Sequence, residues 1–176
     1  MKHWKGNDRT NYNLKEIKMD KSKEKLLKSL NHDLEKEMAG IVRYLHHSFI
    51  VFGPHRGPLV QMFRTQATES MDHAIQLGEK ITALGGHPTV KVDQVFEPGH
   101  QTIEEMIAED LKAEKQQLAL YTEQLKEFGD ENLPMKLMLE QIIVSEQLHV
   151  DEMEKYLRTS NEDLVVFDGL KKLSKN

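Results

Sequence analysis

Ser145-Glu146-Gln147-Leu148-His149 lies near the end of the last long stretch of helical periodicity in this chain. Around it Leu137, Met138, Ile142, Met153 and Tyr156 recur at helical spacing. At about 100° per residue, Glu146 and His149 fall inside that apolar stripe and not on the wet face. An unpaired buried charge is costly, so a helix that turns a carboxylate and an imidazole toward its own core has to neutralise them. A metal ion neutralises both, and Glu-x-x-His is a recurrent ligand step on helices. Alone the step is weak evidence; its recurrence in the chain gives it weight.

That recurrence is an internal repeat. Asp33-Leu34-x-x-Glu37 with Tyr44 seven residues on returns as Asp110-Leu111-x-x-Glu114 with Tyr121 seven on. Each copy is followed by a helix with a core-facing His: Glu37 to His73 is 36 residues and Glu114 to His149 is 35. The chain therefore reads as two helical hairpins of one design. Each contributes a lone Glu from its first helix and a His with an acidic neighbour from its second. Four carboxylates and two histidines suit two iron ions, with carboxylates bridging and each His terminal. Interhelical hydrogen bonding by isolated buried acids is the bland alternative, but too few Lys and Arg share these faces to pair four acids.

One ligand departs from the repeat. Three residues before His73 stands Ser70, and the carboxylate is Glu69, four before. Position i−4 lies about 40° to one side of His73 and i−3 about 60° to the other. Glu69 is thus the expected ligand beside His73, and a local helix bulge would re-aim it further.

Working outward, the hairpins predict an all-α bundle. The first helix runs from Asp20 to about Val51, with Leu30, Leu34, Ile41 and Leu45 on its core face around Glu37. Gly53-Pro54-His55-Arg56-Gly57-Pro58 is a short breaker-rich turn, so the second helix, about Pro58 to Leu84, returns antiparallel. It stops at Gly85-Gly86, followed by Pro88. The irregular connection over 86–101, at roughly 3.3 Å per residue, reaches about 50 Å. The second helix is only about 40 Å long. This long crossover can span the bundle and leave helices two and three parallel. Thr102-Ile103-Glu104-Glu105 has the form of a capping box opening helix three, whose stripe is Ile107, Leu111, Glu114, Leu118, Tyr121, Leu125 and Phe128. Helix four covers 134–158, and Leu164 to Leu170 is a short apolar fifth segment. The expected organisation is an N-terminal arm (1–20), a four-helix domain (21–158) and a C-terminal segment (159–176).

Composition sets the bounds. At 176 residues the chain is one domain with a real core. It has no cysteine, which excludes disulfides, zinc ribbons, iron–sulfur clusters and c-type haem attachment, so His, Asp or Glu must hold any metal. No run of 18 apolar residues and no signal-peptide pattern is present, which makes a cytoplasmic protein the expectation and a membrane partner unexpected. The net charge of −5 argues against DNA as a main partner. Residues 1–28 are the local exception, with nine Lys and Arg against four Asp and Glu. They read as a solvated tail, or as a weak phosphate-binding arm.

Over roughly residues 23–158 the chain resembles the ferritin-like superfamily and, within it, the bacterioferritins. LNHDLEKEMAGIVRYLHH, ESMDHAIQLGEKITALGGHP, TIEEMIAEDLKAE and SEQLHVDEMEKYL carry the resemblance. It implies a ferritin-like four-helix bundle with an intrasubunit di-iron ferroxidase centre, in homo-oligomeric shells that oxidise Fe(II) with O2 or H2O2 and store iron. The implied metal ligands are Glu37, Glu69, His73, Glu114, Glu146 and His149, and Tyr44 and His47 would flank the site. Glu37, Tyr44, Glu114 and Glu146 are the expected catalytic set. Met71 matches the bacterioferritin methionine that binds haem b across a subunit two-fold axis. It faces about 160° away from His73, beside Ala67, Ala74 and Gly78. Small neighbours fit an approaching haem and a plain helix dimer equally. Two rival functions remain: a non-storage di-metal peroxidase or catalase-like enzyme, and a DNA-protecting miniferritin using the basic arm. The absence of CxxC pairs argues against a rubrerythrin-like electron-transfer module.

Overall fold

A computed structural model of the chain describes residues 21–96, 101–128 and 132–158. The expected arm (1–20) and fifth segment (159–176) lie outside the described residues. Among the described residues four helices follow in order: α1 (Lys21–Ile50), α2 (Arg56–Ala83), α3 (Ile103–Phe128) and α4 (Leu133–Leu157). No helix among the described residues is long and apolar enough to cross a membrane.

Local chemistry sets the helix ends. α2 closes where Gly85 adopts φ +76, a left-handed conformation that glycine enters without a Cβ penalty. Thr102 and Glu105 form a reciprocal capping pair: the Thr102 amide donates to Glu105 Oε2 (2.7 Å) and the Glu105 amide to Thr102 Oγ1 (3.2 Å). At α4, Asn132 Oδ1 accepts the Met135 amide at 3.1 Å, with Pro134 in the first turn.

Contacts between α1 and α3 fix the direction of the bundle. Arg43 meets Asp110, Tyr44 meets Glu114, Tyr121 meets Glu37 and Gln124 meets Asp33. As one number rises the other falls, so α3 runs antiparallel to α1. The turn at 51–55 makes α2 antiparallel to α1 as well, and helices two and three are parallel. The crossover climbs along α1 between them, with the Asp93 amide on the Glu35 carbonyl (3.0 Å) and the Thr89 amide on Asn31 Oδ1 (2.7 Å).

Two apolar clusters fill the bundle, one at each end. The first includes Leu30, Leu34, Leu77, Ile81, Tyr121, Leu139 and Ile142. The second includes Tyr44, Leu59, Phe63, Ala67, Ile107 and Met153. Between them every helix changes character: Glu37 on α1, Ser70 and His73 on α2, Glu114 on α3, and Glu146 and His149 on α4 are all buried. The apolar ends stabilise the fold by roughly 25 cal/mol per Å² removed from water. That stabilisation holds the polar layer, costly by itself, in place.

Three residues assigned to core stripes from periodicity stand elsewhere. Leu45 is 36% exposed, Leu137 51% and Tyr156 44%. The buried face of α4 runs Met135, Leu139, Ile142, Glu146, His149, Val150 and Met153, and Leu137, about 200° from Met135, points the other way. On α1 the inward residue is Tyr44, which leaves Leu45 one step round the helix.

Candidate metal centre

The polar layer gathers two groups of three ligand atoms, each with its atoms within 4.8 Å of one another: Glu37, His73 and Glu146, and Glu114, Glu146 and His149. Glu146 belongs to both. Its Oε1 lies 2.8 Å from His73 Nδ1, and its Oε2 lies 3.6 Å from His149 Nδ1. Glu37 Oε1 is 3.4 Å from His73 Nδ1, and Glu114 Oε2 is 3.8 Å from His149 Nδ1. A first-row divalent ion held at about 2.1 Å needs its donors within about 4.2 Å of each other, a contraction of a few tenths of an ångström.

The donor set fits such ions. His73 Nδ1 is buried and makes no hydrogen bond of acceptable geometry although two carboxylates face it, as expected of lone pairs converging on a common point. Arg43, the nearest fixed cation, reaches Glu114 only at 3.8 Å and is committed to Asp110 at 2.6 Å.

In the metal-free protein, protons do the neutralising. Burial disfavours a charged imidazole, yet the carboxylates around His73 and His149 outweigh it and push both up to about 10. Burial and the neighbouring Glu114 push Glu146 up to about 7. Burial acts the same way on Glu114, but hydrogen bonds from Glu146, His149 and Tyr44 overcome it and hold Glu114 down at about 2. The two carboxylates thus share a proton that sits on Glu146.

The sequence repeat becomes a cross-pairing in space. Tyr121, at the end of the second copy, donates to Glu37 of the first at 2.6 Å, and Tyr44 of the first donates to Glu114 of the second. Both phenols are fully buried, and burial with the adjacent carboxylate holds them protonated as donors. The repeated aspartates diverge. Asp110 takes Arg43 and His47 Nδ1 (2.9 Å), whereas Asp33 takes only the Gln124 amide.

Of the six expected ligands, five come together: Glu37, His73, Glu114, Glu146 and His149. Glu69 does not join His73. Its Oε2 meets Nε2 of His149, the ring nitrogen that faces away from the carboxylate pair, and its side chain is 38% exposed. Position i−4 on α2 leans toward α4, so Glu69 reaches the second helical hairpin and not its own. Ser70 is buried beside Gly40, where an added Cβ would lie 3.1 Å from the Ser70 hydroxyl. Tyr44 and His47 both line the layer, while Met71 is 46% exposed on the outside of α2. Sequence reasoning passed over Gln117 and Gln124, both buried on α3. They follow Glu114 and Tyr121 by three residues, and the same helical period that located the ligands would have located them.

Against known proteins, the ferritin-like domain family matches residues 27–162. No curated protein matches the chain. Among solved structures, a ferritin-like diiron-carboxylate protein from Bacillus anthracis aligns at TM-score 0.76 and 28% identity, covering 80% of this chain and 100% of its own. Rhodobacter capsulatus bacterioferritin, solved with a metal-free dinuclear site and haem iron, aligns at 0.67 and 25%, covering 84% and 88%. Dps from Thermosynechococcus elongatus shares the fold at 0.74 with 16% identity, covering 80% and 95%. With four antiparallel-paired helices, a long crossover and this match over most of its length, the chain belongs to the ferritin-like domain family.

Proposed function

We propose that this protein is a ferroxidase of the iron-storing kind, binding two Fe(II) ions per subunit in the polar layer and passing Fe(III) on to storage in a homo-oligomeric shell. The observation that carries the reading is the pair of carboxylate–imidazole triads sharing Glu146 inside one buried layer. Bound iron supplies the electrons that reduce O2 or H2O2. The chain's own groups do the rest. Glu37 and His73 would hold one ion and Glu114 and His149 the other, with Glu146 belonging to both groups. The phenols of Tyr121 and Tyr44 fix the lone carboxylates by charge-assisted hydrogen bonds, each worth about 1.5–3 kcal/mol. Ion binding must expel the protons on His73, His149 and Glu146, and the apolar clusters close the layer at either end of the bundle. In support of assembly, Val42, Phe49, Met71 and Ile75 on α1 and α2, and Val144 and Leu148 on α4, are large apolar residues left 46–64% exposed.

Metal analysis, subunit count and Fe(II) oxidation kinetics test this together. The expected result is two metals per subunit, a large iron-loaded particle, and loss of rapid oxidation in Glu114→Ala and Glu146→Ala. Wild-type rates in both variants would remove the assignment. Ser70, at a position where the repeat calls for a carboxylate, favours a second reading, a non-storage di-metal peroxidase or catalase-like enzyme. A small oligomer that turns over peroxide without accumulating iron selects it.

A further inference from the structure

The second hairpin places Glu146 three residues before His149, and the first places Ser70 three residues before His73. Where a carboxylate is lacking the structure has space. A cavity of about 280 Å³ opens between α1 and α3 beneath Asp93–Phe96, and Glu37, Glu114, Glu146, Ser70, Arg43 and Gln117 are among the residues lining it. A water fills about 30 Å³ of liquid, so a carboxylate of four heavy atoms fits with room for several waters.

Two further observations give the space a chemical preference. Gln117 is only 7% exposed, and its amide nitrogen is buried without a hydrogen-bond partner. Leaving such a donor unsatisfied costs about 1–3 kcal/mol, so whatever fills the cavity, water or ligand, is held there as an acceptor. Charge says which acceptor. Three carboxylates, Glu37, Glu114 and Glu146, face the two candidate ion positions directly, so the direct ligands fall one charge short of two divalent ions, and the fourth carboxylate, Glu69, stands behind His149 on the far side from Ser70. Arg43 lies on the same wall but is paired with Asp110, so the excess belongs to the ions. Ser70, short and neutral, cannot offset it, and Glu69 is occupied at His149 Nε2.

We infer that the Ser70 cavity is a binding site for a small exogenous carboxylate, which completes the metal-loaded centre in place of the carboxylate the first hairpin lacks. The anion enters beneath the crossover, accepts a hydrogen bond from the Gln117 amide, and presents its oxygens to the ion pair from the Ser70 side. The inference rests on the two-metal reading above, so the test has to separate them.

Co(II), which is not oxidised under these conditions and has visible absorption sensitive to its ligands, is titrated into the full-length protein with acetate or with chloride at matched ionic strength. The expected result is two Co(II) per subunit, with a saturable change in the visible spectrum and tighter metal binding in acetate alone. Ser70→Glu should bind two Co(II) and ignore acetate, because its own carboxylate fills the space. Gln117→Leu should keep the metal and raise the acetate half-saturation at least about tenfold, the value of one charge-assisted hydrogen bond. Two Co(II) bound with no acetate response in wild type would overturn the carboxylate site alone. An undiminished acetate response in Ser70→Glu would overturn it too. Failure to bind two Co(II) in either medium would overturn the two-metal reading and this inference with it.

Discussion

Replacing Asp33 with Asn should stabilise the metal-free protein at neutral pH and leave it nearly unchanged in acid. Asp33 is fully buried on α1, and desolvation raises its carboxyl from 3.8 to about 7, against the pull of the Gln124 hydrogen bond. Two unpaired atoms explain how the protonated form is accommodated. Asp33 Oδ1 and Gln124 Oε1 are both buried without partners, and an acid proton on Asp33 supplies the donor that a carboxylate lacks. Because the folded value lies above the unfolded one, the contribution of Asp33 to stability is fully present below about pH 4. It is lost progressively as pH rises toward 7. A rise of about three units is worth about 4 kcal/mol in total, at about 1.4 kcal/mol per pH unit inside the window. Asn cannot ionise and keeps the oxygen that accepts from Gln124. The difference between Asp33→Asn and wild type should therefore grow by about 3 kcal/mol between about pH 5 and pH 8. Urea denaturation of both proteins after chelation measures it. His73, His149 and Glu146 titrate in both and cancel in the difference. A difference that does not vary with pH, or an Asn protein less stable than wild type at pH 8, would mean that Asp33 is not held protonated by burial.

Glu69→Ala should weaken the tighter metal step, at the Glu114–His149 position, by roughly 10–100-fold and leave the weaker step at the His73 position near wild type, since Glu69 orients His149 and does not sit at His73; calorimetric titration with Zn(II) reads both steps, and loss of the weaker step alone would return Glu69 to the His73 side. Haem added to the apoprotein should give a Soret band that Met71→Leu abolishes, because Met71 stands exposed among small neighbours on α2; no band in wild type would reduce Met71 to surface packing.

The helices, their order and the crossover were legible because each depends on local signals: apolar period, capping residues, and glycine or proline at the breaks. The inward direction of Glu37, His73, Glu114, Glu146 and His149 was legible for the same reason, since a charged residue inside an apolar stripe has one direction to point. What the sequence left open is pairing across helices. The repeat named Tyr44 and Tyr121 but could not say that each serves the carboxylate of the other copy. It set Asp33 and Asp110 in equivalent places without revealing that Arg43 neutralises only one of them. Glu69 shows the same limit, because a helix fixes the direction of a side chain but not which neighbouring helix stands there. Leu45, Leu137 and Tyr156 show its converse: periodicity finds apolar faces, and a ferritin-like helix carries more than one.

The unequal aspartates bear on how two near-identical hairpins can make two different metal positions. Around Glu114 the protein has supplied fixed partners: the Tyr44 phenol, Arg43 grazing at 3.8 Å, and Glu69 behind His149. Around Glu37 it has supplied the Tyr121 phenol, a serine and a cavity. In the proposed ligand set both positions border the cavity, but the Glu114 position has more fixed partners, while the Glu37 position has only a serine where a further ligand would stand. An ion that must arrive, react with a small oxidant and leave needs one side that can change its ligands, and an ion that anchors the bridge needs a side that cannot. In that ligand set a serine in place of a carboxylate would weaken static binding at the Glu37 position, leave Glu146 and both imidazoles available, and open that position to exchange.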